Sequence, residues 1–143
     1  MEIYRSPVEI ENGAYAKGTR IKGANGFVFL SGSVGMDTED RIPETIGGQT
    51  MLAMKNLKRR LEEYGSSLEN ILFVRTYLKG DFPDGIINDS KFRECSAVMQ
   101  DFWKEHCPEF LRQNNPPAST LIGVTSLARA EFLIEIEVKA AIP

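Results

Sequence analysis

Apolar residues recur at helical spacing in two stretches of the chain. In residues 49–64 they follow an i, i+3, i+4, i+7, i+8 pattern, and Gly65 comes next, where a left-handed residue often ends a helix. The members of this face are Ala53, Met54, Leu57, Leu61 and Tyr64. The spacing predicts an amphipathic helix over 49–64.

The second helical stretch covers about residues 91–106, after a cap at Asp89 or Ser90. Its predicted buried face is Phe92, Cys95, Met99, Phe102, Trp103 and His106. On this face Cys95 is expected to be a core residue and not a nucleophile, and His106 a core or interface residue.

Several segments have the composition of strands. Residues 71–79 and 118–124 are rich in β-branched and apolar side chains, and residues 132–141 alternate between apolar and polar positions. In the last strand the two sets are Ile134, Ile136, Val138 and Ala140, and Leu133, Glu135, Glu137 and Lys139. The apolar set is expected to pack beneath the two helices.

Near the amino end, residues 19–31 contain two β-rich runs around the sequence Gly-Ala-Asn-Gly at 23–26. Asn-Gly supplies the positive φ of a tight turn, so this segment predicts a hairpin. Residues 32–48 and 80–90 are rich in glycine, proline and polar residues, which predicts loops.

The predicted order is two strands, a helix, a strand, a helix and two strands, which indicates an α+β fold with both helices on one side of a mixed sheet. The length of 143 residues fits a single domain, 1–143. A two-layer fold of this kind leaves one sheet face bare. We therefore expect the chain to oligomerise.

The charge and composition exclude several function classes. A formal net charge of −3 without a long basic stripe argues against nucleic-acid binding. No stretch is apolar enough for a signal or a membrane span, so a cytoplasmic location is expected, with both cysteines as thiols. With His106 as the single histidine, neither a zinc cluster nor a Ser-His-Asp triad is expected, and no cofactor is implied.

A resemblance to a known family rests on several short segments in a fixed order. These are Gly13-Ala14-Tyr15, Phe29-Leu30-Ser31-Gly32, residues 54–71 around Leu57, Phe102-Trp103 with Glu105-His106, Pro117-Ala118, and Ile134-Glu135-Ile136-Glu137 with Ala140. Together they resemble the Rid family of enamine and imine deaminases, also called the YjgF or L-PSP endoribonuclease family.

The resemblance implies a chorismate-mutase-like two-layer fold, with a mixed six-stranded sheet and two helices on one face. It also implies a homotrimer with a cleft between each pair of adjacent subunits. In this family the cleft binds a small 2-imino or enamine acid and speeds its hydrolysis to a keto acid and ammonia.

Matched position by position, the family's cleft residues fall on Tyr15, Ser31, Gly32 and Glu135, with Glu135 as the catalytic acid-base residue. Three other positions differ: the arginine that holds the substrate carboxylate falls on Ser119, the cysteine two residues later on Leu121, and a helix asparagine on Ser96. Only about half of the cleft residues that the resemblance implies are therefore present in this chain.

The serine at position 119 leaves two hypotheses open, because a hydroxyl cannot replace the bidentate charge of a guanidinium. The chain is a hydrolase with a changed substrate or a different cation, or a non-catalytic trimer that binds or senses a small molecule. Arg75, Lys17 and Arg112 are the candidate cations. A hydroxyl-rich pocket of Ser31, Ser96, Ser119 and Thr120 is the neutral alternative.

Overall fold

The computed structural model describes residues 1–6, 15–112 and 115–143. The helices are α1 (Ile46–Glu63), α2 (Ser90–His106) and α3 (Glu109–Arg112), with short 3₁₀ turns at Leu68–Asn70 and Ile86–Asn88. The strands are β1 (Glu2–Ser6), β2 (Gly18–Lys22), β3 (Gly26–Phe29), β4 (Ser33–Val34), β5 (Ile71–Lys79), β6 (Ala118–Val124) and β7 (Ile134–Ile142). Gly13 and Ala14 of the family resemblance lie outside the described residues.

The main sheet has five strands and is mixed. Its order is β3-β7-β5-β6, with β4 pairing the other end of β7, while β5 runs antiparallel to β7 and parallel to β6. β1 and β2 form a separate antiparallel pair. The α+β class is confirmed. The described strands form one sheet of five strands and a separate pair, whereas a single sheet of six strands was expected.

The hairpin predicted over residues 19–31 is wrong. β2 pairs with β1, whereas β3 pairs with β7, so the two runs flank a turn without bonding to each other. The left-handed residue of this turn is Gly23, with φ of +73°, and Asn25 instead donates its backbone N–H to Ile142 at 2.9 Å. Long-range pairing, which buries Val28 opposite Ala140, outweighs the local turn signal.

The two long helices, α1 and α2, each begin after a residue whose side chain accepts a hydrogen bond from a backbone N–H of the first turn. The hydroxyl of Thr45 accepts a hydrogen bond from Gly48 N, which starts α1 three residues before the expected position. Gly65 follows α1 with φ of +76°, as expected. The predicted cap at Asp89 is confirmed by its hydrogen bond from Lys91 N at 2.8 Å.

The core lies between α1, α2 and one face of β7. The predicted alternation of the last strand is confirmed, since Ile134, Ile136 and Val138 are buried in one cluster with side chains of both helices. The prediction of His106 as a core residue is wrong, because 29% of its side chain is exposed at the end of α2, while its place at an interface stays a prediction. The opposite face of the sheet presents polar and aromatic side chains.

Phe102 is the largest fully buried side chain, so it provides a test of this core. We expect Phe102→Ala to lower the free energy of unfolding by about 3 to 5 kcal/mol, because a cavity replaces the ring. Urea unfolding followed by circular dichroism measures this. Ile87→Ala is the matched control, since that side chain is 66% exposed and its loss should change stability little. Equal effects would contradict the assigned core.

Candidate functional site

Glu135 lies on the helix-free face of the sheet, near the start of β7. It is half-buried, and its backbone pairs with Val34 of β4 and Tyr77 of β5. A Cβ atom added at Gly32 would lie 2.6 Å from Cδ and Oε1 of Glu135. The missing side chain at Gly32 therefore leaves the space that the carboxylate occupies.

Ser31 is exposed and directly precedes Gly32 in the connection between β3 and β4. Ser31, Gly32 and Glu135, three of the residues expected at the cleft, thus form one group, which we call the acid half-site. The pairing of β4 with β7 holds this connection against the glutamate.

A second group forms at the start of β6. Ala16 makes a parallel bridge with Ala118, and its backbone N–H donates to Pro117 O at 3.1 Å. This bridge sets Tyr15 beside the strand that carries Ser119 and Leu121. Tyr15 is 42% exposed, Ser119 is exposed and Leu121 is half-buried. Tyr15, Ser119 and Leu121 are the β6 half-site.

The two half-sites lie on opposite faces of the sheet. Ser119 pairs with Val74, and Val74 pairs with Val138 on the face that the helices cover, whereas Glu135 belongs to the other face. From strand spacing and rise, the Cα atoms of Ser119 and Glu135 are about 14 Å apart. A single chain therefore does not bring the expected site residues together.

The remaining candidates do not join these groups. Ser96 lies on α2, directly after the buried Cys95, whereas the other candidates lie on strands and their connections. Ser119 and Thr120 are neighbours on β6 and so point to opposite faces. The hydroxyl-rich pocket is not formed within one chain.

The structure reveals a polar network next to Glu135 that sequence reasoning did not identify. Arg75 Nη1 donates to Glu137 Oε1 at 2.7 Å, and the Tyr77 hydroxyl donates to the same oxygen at 3.0 Å. The hydrogen bond with Tyr77 and the charge of Glu137 raise the pKa of Arg75 above its ordinary value. The alternating positions of Arg75 and Tyr77 along β5 could have indicated that both lie on one face of the sheet. Their pairing with Glu137 and Glu135 depends on the register between β5 and β7, which the local sequence does not contain.

These contacts bear on the three candidate cations. Arg75 lies on the face of Glu135, but its charge is paired with Glu137. Lys17 directly follows the residue that bridges β6. The side chain of Arg112 lies outside the described residues.

An open depression of about 500 Å³ adjoins the amino end of β7. Its lining includes Leu133, two residues before Glu135, and the acidic residues Asp40, Glu44 and Glu131. Lys79 Nζ donates to Ala130 O of the same lining at 2.8 Å, so the depression has charges of both signs beside it.

Neither cysteine has the environment of a nucleophile. Burial raises the pKa of Cys95 to about 11 and, with the charges of Glu109 and Glu69, that of Cys107 to about 12. The expectation that Cys95 is a core residue is confirmed. Across 1–6, 15–112 and 115–143, no group of three histidine, cysteine or acidic side chains is arranged to hold a metal ion. The helices described for this chain are also too short or too polar to span a bilayer.

Comparison with known proteins gives consistent matches over almost the whole chain. The family model described as Endoribonuclease L-PSP matches residues 8–142. A RutC family protein of Aquifex aeolicus is 31% identical over 134 residues, covering 92% of this chain and 91% of that protein.

Solved structures share the fold. A Rid family protein, YyfB of Yersinia pestis, superposes with a TM-score of 0.74 at 21% identity, with 99% of each chain covered. The structure of Escherichia coli TdcF with bound serine gives a TM-score of 0.66 at 25% identity, covering 96% of this chain and 93% of that one.

The buried thiols predict how stability depends on pH. Because the folded pKa of Cys95 is raised, the unfolded chain loses this proton first. The stabilisation is complete below the ordinary pKa of 9.0 and is lost as pH rises towards about 11. We expect the free energy of unfolding to fall by up to about 1.4 kcal/mol per pH unit for each thiol. Urea titrations between about pH 8 and pH 10 measure this slope.

The control for the thiol prediction is the double variant Cys95→Ala, Cys107→Ala. It should be less stable at every pH but show a flatter slope, because lysines and tyrosines titrate in both proteins. An unchanged slope would show that the thiols are not responsible.

Proposed function

This chain belongs to the Endoribonuclease L-PSP family, also known as the Rid or YjgF family, and on that basis we propose that it hydrolyses a small imine or enamine. The observation that carries the proposal is the half-buried carboxylate of Glu135, held against Gly32 on a polar sheet face. We further propose that residues 1–143 act as one domain, in the cytoplasm, where Cys95 and Cys107 remain thiols.

In the proposed assembly, three copies form a ring and the clefts lie between neighbours. The positions of the half-sites support this, since residues on opposite faces of one sheet meet when one subunit contacts the next. The helix-free face also exposes Phe27 by 54% and Phe29 by 70%. Apolar side chains on a bare sheet face favour burial against another copy.

The proposed reaction uses Glu135 as a shuttle for one proton at a time. The reaction starts from the protonated imine, and the carboxylate takes a proton from a water molecule as the water oxygen bonds to the imine carbon, which gives a neutral carbinolamine. Glu135 returns this proton to the nitrogen, and its carboxylate then takes the hydroxyl proton as the C–N bond breaks. A carbonyl compound and ammonia leave, and Glu135 releases its proton to solvent. An enamine first becomes an imine by protonation at carbon.

The ligand proposed for the cleft is a small metabolite of amino-acid size. Escherichia coli TdcF, which has the same fold, binds serine, a molecule of that size. Tyr15 and Ser31 would shape the pocket beside Gly32, while Leu121 and Ser96 stand at positions where the family has a cysteine and an asparagine. The neutral hydroxyl of Ser119 favours a second candidate, a trimer that binds such a molecule without converting it.

The catalytic role of Glu135 is tested with freshly generated 2-aminoacrylate, by following ammonia and keto-acid release. We expect Glu135→Gln to lower kcat by about 10² to 10⁴, since the amide cannot accept the water proton. Glu63→Gln, which removes a carboxylate paired with Arg59 on α1, should change nothing. No rate above buffer in the wild type, with a gain in Ser119→Arg, would favour the binding trimer instead.

The assembly is tested by light scattering on the purified chain. We expect a mass three times the 16.0 kDa of one chain, and Phe29→Glu to shift it towards monomer by placing a charge in the interface. Tyr64→Glu, at a residue 64% exposed after α1, should leave the mass unchanged. A stable wild-type monomer would contradict a shared cleft.

A further inference from the structure

We propose that Gln49 is a positioning residue for Glu135, because its side-chain amide fixes the backbone next to the start of β7. The effect on catalysis rests on the proposed function, whereas the placement of the backbone can be measured without turnover. Gln49 acts through the main chain, since α1 covers one face of the sheet and Glu135 lies on the other.

Gln49 is a buried polar residue near the start of α1, and its side chain makes three hydrogen bonds. The residue is only 1% exposed. Its Nε2 donates to Pro43 O at 2.9 Å and to Glu131 O at 2.8 Å. Its Oε1 accepts a hydrogen bond from Leu133 N at 2.8 Å. This one amide therefore ties α1 to the connection before it and to the connection before β7.

The partners of this side chain require an amide. The two carbonyl groups need two N–H donors, and the backbone N–H of Leu133 needs an acceptor, which is the set that glutamine offers. An ionised glutamate has no donor, and a methionine of similar length supplies neither donor nor acceptor of comparable strength. Because an unpaired buried polar group is costly, the amide and its three partners depend on each other.

The hydrogen bond to Leu133 fixes the main chain immediately before β7. Leu133 is two residues before Glu135, so their Cα atoms are about 6.5 Å apart in an extended chain. On the β5 side, Lys79 N–H donates to Leu133 O at 3.0 Å, and Lys79 Nζ donates to Ala130 O at 2.8 Å. Because β5 also holds this connection, loss of the Gln49 amide should displace it without releasing it.

Gln49 also contacts the segment that follows β4, the strand that pairs with Glu135. A Cβ atom added at Gly35 would lie 2.4 Å from Gln49 Cα, so the main chain there runs directly against α1. Val34, whose backbone pairs with Glu135, directly precedes Gly35. The position of Glu135 is therefore set between two segments that both contact Gln49.

The two connections that Gln49 joins also form the walls of the open depression of about 500 Å³. One wall contains Ile42, Pro43 and Glu44, and the other contains Ala130, Glu131 and Leu133. Since the amide bonds Pro43 in one wall and Glu131 in the other, it sets the distance between them.

Gln49→Met tests the proposal, because methionine keeps the length of the side chain and removes the three hydrogen bonds. With 2-aminoacrylate we expect kcat per folded protein to fall about 10- to 100-fold and KM to change less than about threefold, since the carboxylate is displaced. Hydrogen exchange followed by mass spectrometry on the assembled protein should show residues 131–136 exchanging at least about tenfold faster than in the wild type.

Ser66→Ala is the matched control. Ser66 is also buried, and its hydroxyl donates to Ala141 O at 2.7 Å, so it holds the far end of β7. Both variants should be less stable than the wild type, but Ser66→Ala should keep the wild-type kcat and the wild-type exchange of 131–136. If Gln49→Met does not fold, Gln49→Asn, whose amide is one methylene shorter, should show the same two changes to a smaller degree.

The possible outcomes separate this proposal from the proposed hydrolase. Wild-type kcat or wild-type exchange of 131–136 in the folded Gln49 variant would overturn the positioning role and leave Gln49 as a stabilising residue. If the wild type does not hydrolyse 2-aminoacrylate but Gln49→Met alone speeds the exchange of 131–136, the hydrolase fails and the positioning role stands. If the wild type, Gln49→Met and Ser66→Ala hydrolyse it equally, the reverse holds.

Discussion

The strict alternation of β7 is the constraint on which both the core and the candidate site depend. One set of its side chains, including Ile136 and Val138, is buried beneath the helices, so the strand cannot shift by one residue without exposing it. That constraint fixes Glu135 and Glu137 on the other face. The strand β7 also pairs with β3, β4 and β5. These pairings place Gly32 against the side chain of Glu135 and place Tyr77 opposite Glu135 on β5. One face of β7 thus contributes to the core, and the other carries the candidate catalytic residue.

The division of the expected residues between two sheet faces explains why a fold of this size would assemble to function. Ser119 lies on the helix-covered side of β6, and Glu135 lies about 14 Å away on the other side. A monomer therefore has two incomplete sites of different character. In the proposed ring each site would be completed by a neighbour, and the same contact would cover Phe27 and Phe29.

Electrostatics distinguishes this chain from the pattern of the family resemblance. The arginine expected at position 119 is absent, while Arg75 is present on the opposite face and neutralises Glu137. Because Glu137 is paired and Tyr77 also donates to it, Glu135 is left as the glutamate of β7 without an ion pair among the described contacts.

The sequence by itself determined the two long helices α1 and α2, the strands β5, β6 and β7, the α+β class and the buried role of Cys95. These follow from local periodicity, caps and composition, which act over a few residues. The family motif also marked Gly32 and Glu135, which the fold sets in contact. The tertiary structure alone decided that β2 and β3 do not pair, that Arg75 bonds Glu137, and that Ala16 bridges Ala118. Each depends on strand register between distant segments, and register is set by the burial of the whole sheet, which no local pattern contains.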